Sequence, residues 1–132
     1  MDNQQVQKLT DQFEALDINP ETFLHTEHVA VAWEMLQRYD FLEAAYRYGT
    51  SLNTIATKAG AADKFHITVT IAMLSLISER MAEGKADSFE SFRDTYPEIF
   101  EKQTLAGWYS TERIGSDAAR RRFVMPDRVH LQ

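Results

Sequence analysis

The stretch from Phe65 to Ile77 constrains the fold more than any other part of this sequence, because its thirteen residues include no charged side chain. Its polar residues are His, Thr and Ser alone. A helix that is apolar around most of its circumference has to be covered on most sides. The stretch therefore predicts a central helix, from about 64 to 83 and capped by Asp63, with other helices packed around it. The apolar run is shorter than the ~20 residues of a membrane-spanning helix, so we expect no membrane contact.

Apolar residues at helical spacing predict three further helices before the central one, at residues 3–16, 26–37 and 40–59. Trp33, in the middle of the second apolar stripe, is expected to pack against the central helix. After Gly84 the pattern predicts short helices and then an extended tail over 119–132. The predicted fold is all-α, a compact up-down helical bundle that forms one domain over residues 1–132.

Charge and composition exclude several classes of function. The net charge of −6 argues against general nucleic-acid binding, which needs a basic surface. The chain has no cysteine, which excludes disulfides, thiol catalysis and thiolate metal sites. The N-terminal sequence lacks the basic and apolar segments of a signal peptide. These features are consistent with a cytoplasmic protein.

Three histidines are expected to meet at one end of the bundle. Helical spacing places His25 and His28 on the apolar stripe of the second helix. An up-down order makes the second and fourth helices parallel, which brings His66 to the same end. The end of the first helix, with Glu14 and Asp17, is expected to approach that end as well.

Two kinds of ligand suit such a site, and the sequence does not decide between them. Neutral imidazoles of His25, His28 and His66 could bind a divalent transition metal. Two helix N-termini and Lys64 instead favour a small anion, with Thr68 as a hydrogen-bond donor. Either site could support proton transfer or metal-assisted catalysis by the histidines. Each histidine could equally have a purely structural role, such as capping a helix.

The C-terminal part of the chain suggests a different class of function. It carries five of the fourteen Lys and Arg residues, between Arg113 and Arg128. The tail residues Phe123 and Val124 suggest docking on the bundle or on a second subunit, as in a homodimer. In this alternative the protein is a non-catalytic interaction or regulatory protein that uses Trp108, Tyr109 and the tail. His130 is assigned no role.

Three segments carry a resemblance to a known family. They are FLHTEHV with AW from residue 23, DKFHIT from residue 63, and WYS with ARRRFVMPD from residue 108. Together they resemble a family of small bacterial all-α proteins without an established activity. The resemblance implies that Lys64, Thr68, the three histidines and the tail arginines belong to one recurring pattern. Phe65 stands where that family often has tyrosine.

Overall fold

The computed structural model describes residues 1–128, and within that range the chain is helical without strands. The α-helices are α1 (Asn3–Glu14), α2 (His25–Arg38), α3 (Phe41–Lys58), α4 (Ile67–Ala82), α5 (Phe89–Thr95), α6 (Thr111–Ile114) and α7 (Asp117–Arg121). Short 3-10 helices cover Ala62–Lys64, Pro97–Phe100 and Thr104–Gly107. The predicted all-α bundle is confirmed. His130 lies outside the described residues.

Side chains that the sequence marks as caps start most of these helices. Asp2 and Gln5 form a reciprocal capping box at α1, with two hydrogen bonds of 2.8 Å between side chain and backbone. Asp40 caps α3, where its carboxylate accepts the Glu43 N–H at 2.9 Å. The serines at 88, 110 and 116 cap α5, α6 and α7 in the same way. Local sequence therefore sets these helix starts.

The end of α1 comes two residues earlier than the apolar spacing predicts. Leu16 has φ of +61°, in the left-handed region that terminates a helix. The Asp17 N–H donates to the Gln12 carbonyl at 2.8 Å across this turn, which satisfies one of the last free carbonyls of the helix.

The start of the central helix also differs from the prediction. Asp63 lies in a 3-10 turn, and α4 begins at Ile67 with His66 as its N-cap. The Nδ1 atom of His66 accepts the Val69 N–H at 3.1 Å, which is the role expected for the Asp63 carboxylate. The prediction placed His66 inside the helix, and that was wrong by about one turn.

Helices α2 and α4 occupy the middle of the bundle. From Ile67 to Ser78, no residue of α4 is exposed, as the uncharged stretch predicts. In α2, five consecutive residues from Val29 to Trp33 are buried. The Trp33 ring packs at 5.6 Å from the ring of Phe89, in α5, and at 6.4 Å from that of Phe92. The aromatic neighbours of Trp33 thus come from α5. Within residues 1–128, no helix has both the length and the apolar character that crossing a bilayer requires.

An ionic network connects α1 to the last turn of α2. The Arg38 guanidinium lies 2.9 Å from carboxylate oxygens of Asp11 and Glu14, and 3.0 Å from Glu34. Glu14 also accepts the Tyr39 hydroxyl at 2.7 Å. Glu14 is therefore engaged by the C-terminal end of α2, and its expected approach to the histidines at the other end of that helix is wrong.

The C-terminal segment, residues 104–128, covers the outer side of α4. Tyr109, Ala119 and Val124 form a small second core there, packed against Ala72 and two further apolar side chains. Residues 119–121 belong to α7, so the extended part of the tail begins at Arg122 instead of residue 119. The tail therefore docks on its own bundle up to residue 128.

Candidate functional site

The three histidines line one cavity of about 380 Å³ between α2, α3 and α4. Most residues of its wall come from the N-terminal halves of α2 and α4 and from the C-terminal half of α3, so α3 runs antiparallel to the other two. Besides the histidines, the helices contribute mostly apolar side chains: Val29 and Ala32 from α2; Leu52, Ile55, Ala56 and Ala59 from α3; Val69, Met73, Leu74 and Ile77 from α4.

His66 connects three parts of the molecule through its ring. Its Nδ1 atom accepts a hydrogen bond from the Val69 N–H and therefore carries no proton. Its Nε2–H accordingly donates to the Ile114 carbonyl at 2.7 Å, which lies 48 residues away in α6. Both ring nitrogens are thus committed to backbone groups. In this arrangement His66 holds the start of α4 against the C-terminal segment while its side chain borders the cavity.

His28 is largely removed from water. Its ring lies 4.3 Å from the ring of Phe23, measured between centroids. Burial, followed by the proximity of His25, lowers the pKa of His28 from 6.5 to about 4. The imidazole is therefore neutral at physiological pH, so one ring nitrogen can accept a hydrogen bond or a proton.

His25 and Tyr48 complete the polar part of the wall near His28. The Nε2–H of His25 donates to the Ile99 carbonyl at 3.0 Å, which fixes the ring against the 3-10 helix that follows α5. The hydroxyl of Tyr48 lies 3.4 Å from the His28 carbonyl, and burial raises the pKa of this phenol. Tyr48 therefore stays protonated, and its hydroxyl donates to the His28 carbonyl at the edge of an otherwise apolar region.

Lys64 and Thr68, both predicted as ligand-binding residues, are placed differently. Lys64 borders the cavity and is exposed to solvent. Thr68 is fully buried and does not line the cavity. Its hydroxyl donates to the Arg122 carbonyl at 2.7 Å and accepts the Val124 N–H at 3.1 Å. Thr68 thus anchors the tail, whereas Thr70, which the sequence did not single out, faces the cavity.

The donor atoms do not form a metal centre. Within residues 1–128, no group of three or more His, Asp or Glu side chains is arranged to hold a metal ion. For His66 the reason is direct, because metal coordination would require breaking one of its two backbone hydrogen bonds. Within the described part of the chain, His25, His28 and His66 therefore share a cavity, but their donor atoms are not arranged as one metal-binding group.

The aromatic pair of the C-terminal segment is divided between surface and core. Trp108 is 37% exposed, whereas Tyr109 is 3% exposed and donates its hydroxyl to the Val124 carbonyl at 2.9 Å. Tyr109 is therefore a core residue and cannot belong to a working surface. Phe123 and Met125 are exposed on either side of the buried Val124, since alternate residues of an extended chain face opposite ways.

Sequence reasoning missed the contribution of α3 to the cavity. Leu52, Ile55 and Ala59 lie on its apolar stripe and were indistinguishable from ordinary core residues. The small side chains of Ala56 and Ala59, which both line the cavity, are the available signal for a space at this place. Comparison of the chain with protein-family models, with curated proteins and with solved structures gives no match.

Proposed function

We propose that this chain is a binding protein for a small molecule, held in the cavity between α2, α3 and α4. The supporting observation is one cavity of about 380 Å³ that combines an apolar interior with His25, His28, His66 and Lys64. Ligand pockets are typically concave and mostly apolar, with a few polar groups that orient the ligand. The cavity meets that description.

The polar residues would have different roles. Lys64 would attract an anionic group. His25, whose Nε2–H already donates to the Ile99 carbonyl, would border that group, and neutral His28 would offer a ring nitrogen to a hydrogen-bond donor of the ligand. His66 would position the start of α4, because both of its nitrogens bond to backbone groups. The low pKa of His28 keeps it neutral, but a pKa of about 4 also makes it a weak proton acceptor at neutral pH, which favours binding over general-base catalysis by this residue.

A metal-binding function has less support than a small anionic or amphipathic ligand. The donor geometry within residues 1–128 offers no three-residue set, and His66 is fully hydrogen-bonded. Metal analysis of the purified protein tests this directly. A stoichiometric transition metal that is lost in His25→Ala and His28→Ala variants would overturn the preference for a metal-free ligand.

The cavity itself is tested by filling it. Small carboxylates and phosphates are screened by thermal shift, since a ligand at 100 times its Kd stabilises the native state by about 2.7 kcal/mol. Ala56→Leu should abolish the shift of any hit, because Ala56 lines the cavity. Ala82→Leu, at an exposed position at the end of α4, is the matched control and should retain the shift. Equal shifts in both variants would show that the ligand binds elsewhere.

The alternative is a protein-interaction role for the C-terminal segment. Three observations favour it: Trp108 is 37% exposed, Phe123 is 44% exposed and Met125 is 68% exposed. Arginine and large apolar side chains are enriched in protein interfaces, and this segment contains both. A homodimer through this surface would appear in sedimentation analysis as a concentration-dependent mass, and Met125→Asp should shift it to monomer. A monomer at every concentration would exclude the dimer.

A further inference from the structure

The cavity changes in polarity along the bundle axis. In α2 the lining residues progress from His25 and His28 to Val29 and Ala32. In α4, they progress from the region of Lys64 and His66 to apolar side chains that end at Ile77. Since α2 and α4 run parallel, the polar ends coincide and so do the apolar ends. A molecule that fills this space would have a polar group at one end and an apolar body at the other.

The polar end has a definite charge preference. Within residues 1–128, no Asp or Glu contributes to the lining, although the chain has 20 acidic and 14 basic residues. Lys64 supplies a full positive charge there. The N-terminus of α4 adds positive partial charge at the same end, whereas Glu27 in the first turn of α2 offsets that of α2 by accepting the Leu24 N–H at 3.0 Å. The polar end of the cavity thus suits an anion in a protein that is otherwise acidic.

We propose that the ligand is an amphipathic monocarboxylate, with its carboxylate at Lys64, on the side of the cavity that the histidines border, and its hydrocarbon body extending toward Ile77. This inference rests on the proposed small-molecule function and specifies its ligand class. The volume of about 380 Å³ corresponds to roughly a dozen water-sized groups at about 30 Å³ each, which sets the size of the ligand.

A singly charged head group fits better than a phosphate. Lys64 is the one lysine or arginine among the lining residues within 1–128. Phosphate sites usually provide several charge-assisted donors or a loop of backbone N–H groups. A carboxylate can be matched by one ammonium group, which Lys64 supplies, whereas the N–H groups of His25 and His66 already donate to the Ile99 and Ile114 carbonyls. An amine is disfavoured because no carboxylate is available to pair with it.

A series of molecules with the same chain and different head groups tests the proposal. The full-length protein is titrated with four compounds: octanoate, octanol, octylamine and octyl phosphate. Calorimetry measures the affinity of each compound, and native mass spectrometry measures how many molecules bind to each protein chain. We expect octanoate to bind with one-to-one stoichiometry, and about tenfold more tightly than octanol, which corresponds to about 1.4 kcal/mol. Octylamine should bind more weakly than the alcohol.

Two lysine variants identify the source of that preference. Lys64→Gln should reduce octanoate affinity about three- to tenfold and leave octanol affinity unchanged, since an exposed ion pair contributes modestly. Lys58→Gln is the matched control, because Lys58 is equally exposed and does not line the cavity. Both lysines are exposed, so both variants should fold normally.

The outcomes separate failure of the ligand class from failure of the binding function. If octanol binds as tightly as octanoate, and Ala56→Leu abolishes both, the cavity binds ligands but the carboxylate assignment is wrong. Tighter binding of octyl phosphate than of octanoate would likewise overturn the head group. If no member of the series binds in a way that Ala56→Leu removes, and the thermal-shift screen gives no hit sensitive to that variant, the small-molecule function itself is overturned.

Discussion

Replacing Thr68 by valine tests whether a single hydroxyl holds the C-terminal tail on the bundle. Valine has nearly the same shape, so the change removes the hydroxyl and leaves the packing intact. The hydroxyl bonds the Arg122 carbonyl at 2.7 Å and the Val124 N–H at 3.1 Å, both more than fifty residues away. Thr68 is fully buried, so water cannot replace these bonds while the tail stays docked.

The size of the effect follows from the two groups that lose their partner. A buried polar group left without a hydrogen bond costs about 1–3 kcal/mol. The Val124 N–H is buried and should incur the full cost, whereas the Arg122 carbonyl is partly accessible and should incur less. We therefore expect Thr68→Val to destabilise the docked tail by about 2–4 kcal/mol. If docking contributes less than that, the tail will detach locally before the bundle unfolds.

Thr10→Val is the matched control. Thr10 is also fully buried in a helix, and its hydroxyl donates at 2.8 Å to the Val6 carbonyl four residues earlier. The backbone hydrogen bond of α1 also satisfies that carbonyl, so its loss should cost less than about 1 kcal/mol. Urea denaturation measures the global change, and limited trypsin digestion at Arg120–Arg122 measures detachment of the tail. Equal stability and equal cleavage rates for the two variants would refute the role given to Thr68.

Three further predictions concern the core, pH and the ionic network. Trp33→Ala should lower the free energy of unfolding by about 3–5 kcal/mol, because the residue is 5% exposed and its ring packs on two phenylalanines of α5. An unchanged midpoint of urea denaturation would contradict this. The pKa of His28 falls from 6.5 to about 4 on folding, so the unfolded state binds more protons than the folded state between pH 4 and pH 6.5. The free energy of unfolding should therefore decrease by at most about 3 kcal/mol as the pH falls from 6.5 to 4. His28→Gln should flatten this part of the stability profile, and an identical profile would show that another group is responsible. Arg38→Met should cost about 1–3 kcal/mol, because the partly shielded carboxylates of Glu14 and Glu34 lose their guanidinium partner together with the exposed Asp11. Arg47→Met, which breaks one exposed ion pair, should cost under ~1 kcal/mol, and equal denaturation midpoints for the two variants would refute the network.

The sequence determined the helices because the information needed for them is local. The uncharged stretch up to Ile77 marked a helix covered on nearly all sides, and the structure confirms it. Caps such as Asp40 and Ser88 were predictable, since a side chain three residues before a free N–H can reach it in any fold. Periodicity also indicated that His25 and His28 share one face, and both border the same cavity.

Tertiary structure decided what the polar side chains of those helices do. His66 and Thr68 were predicted to bind a ligand, yet their strongest partners are the Ile114, Arg122 and Val124 backbones, about fifty residues away. Periodicity tells which side of a helix is buried, but not which segment buries it. The cavity depends on the same distant information, because an empty space exists only where three helices fail to fill the volume between them. The sequence thus specified a bundle with histidines at one end, and the packing of its C-terminal segment decided which polar groups were left for a ligand.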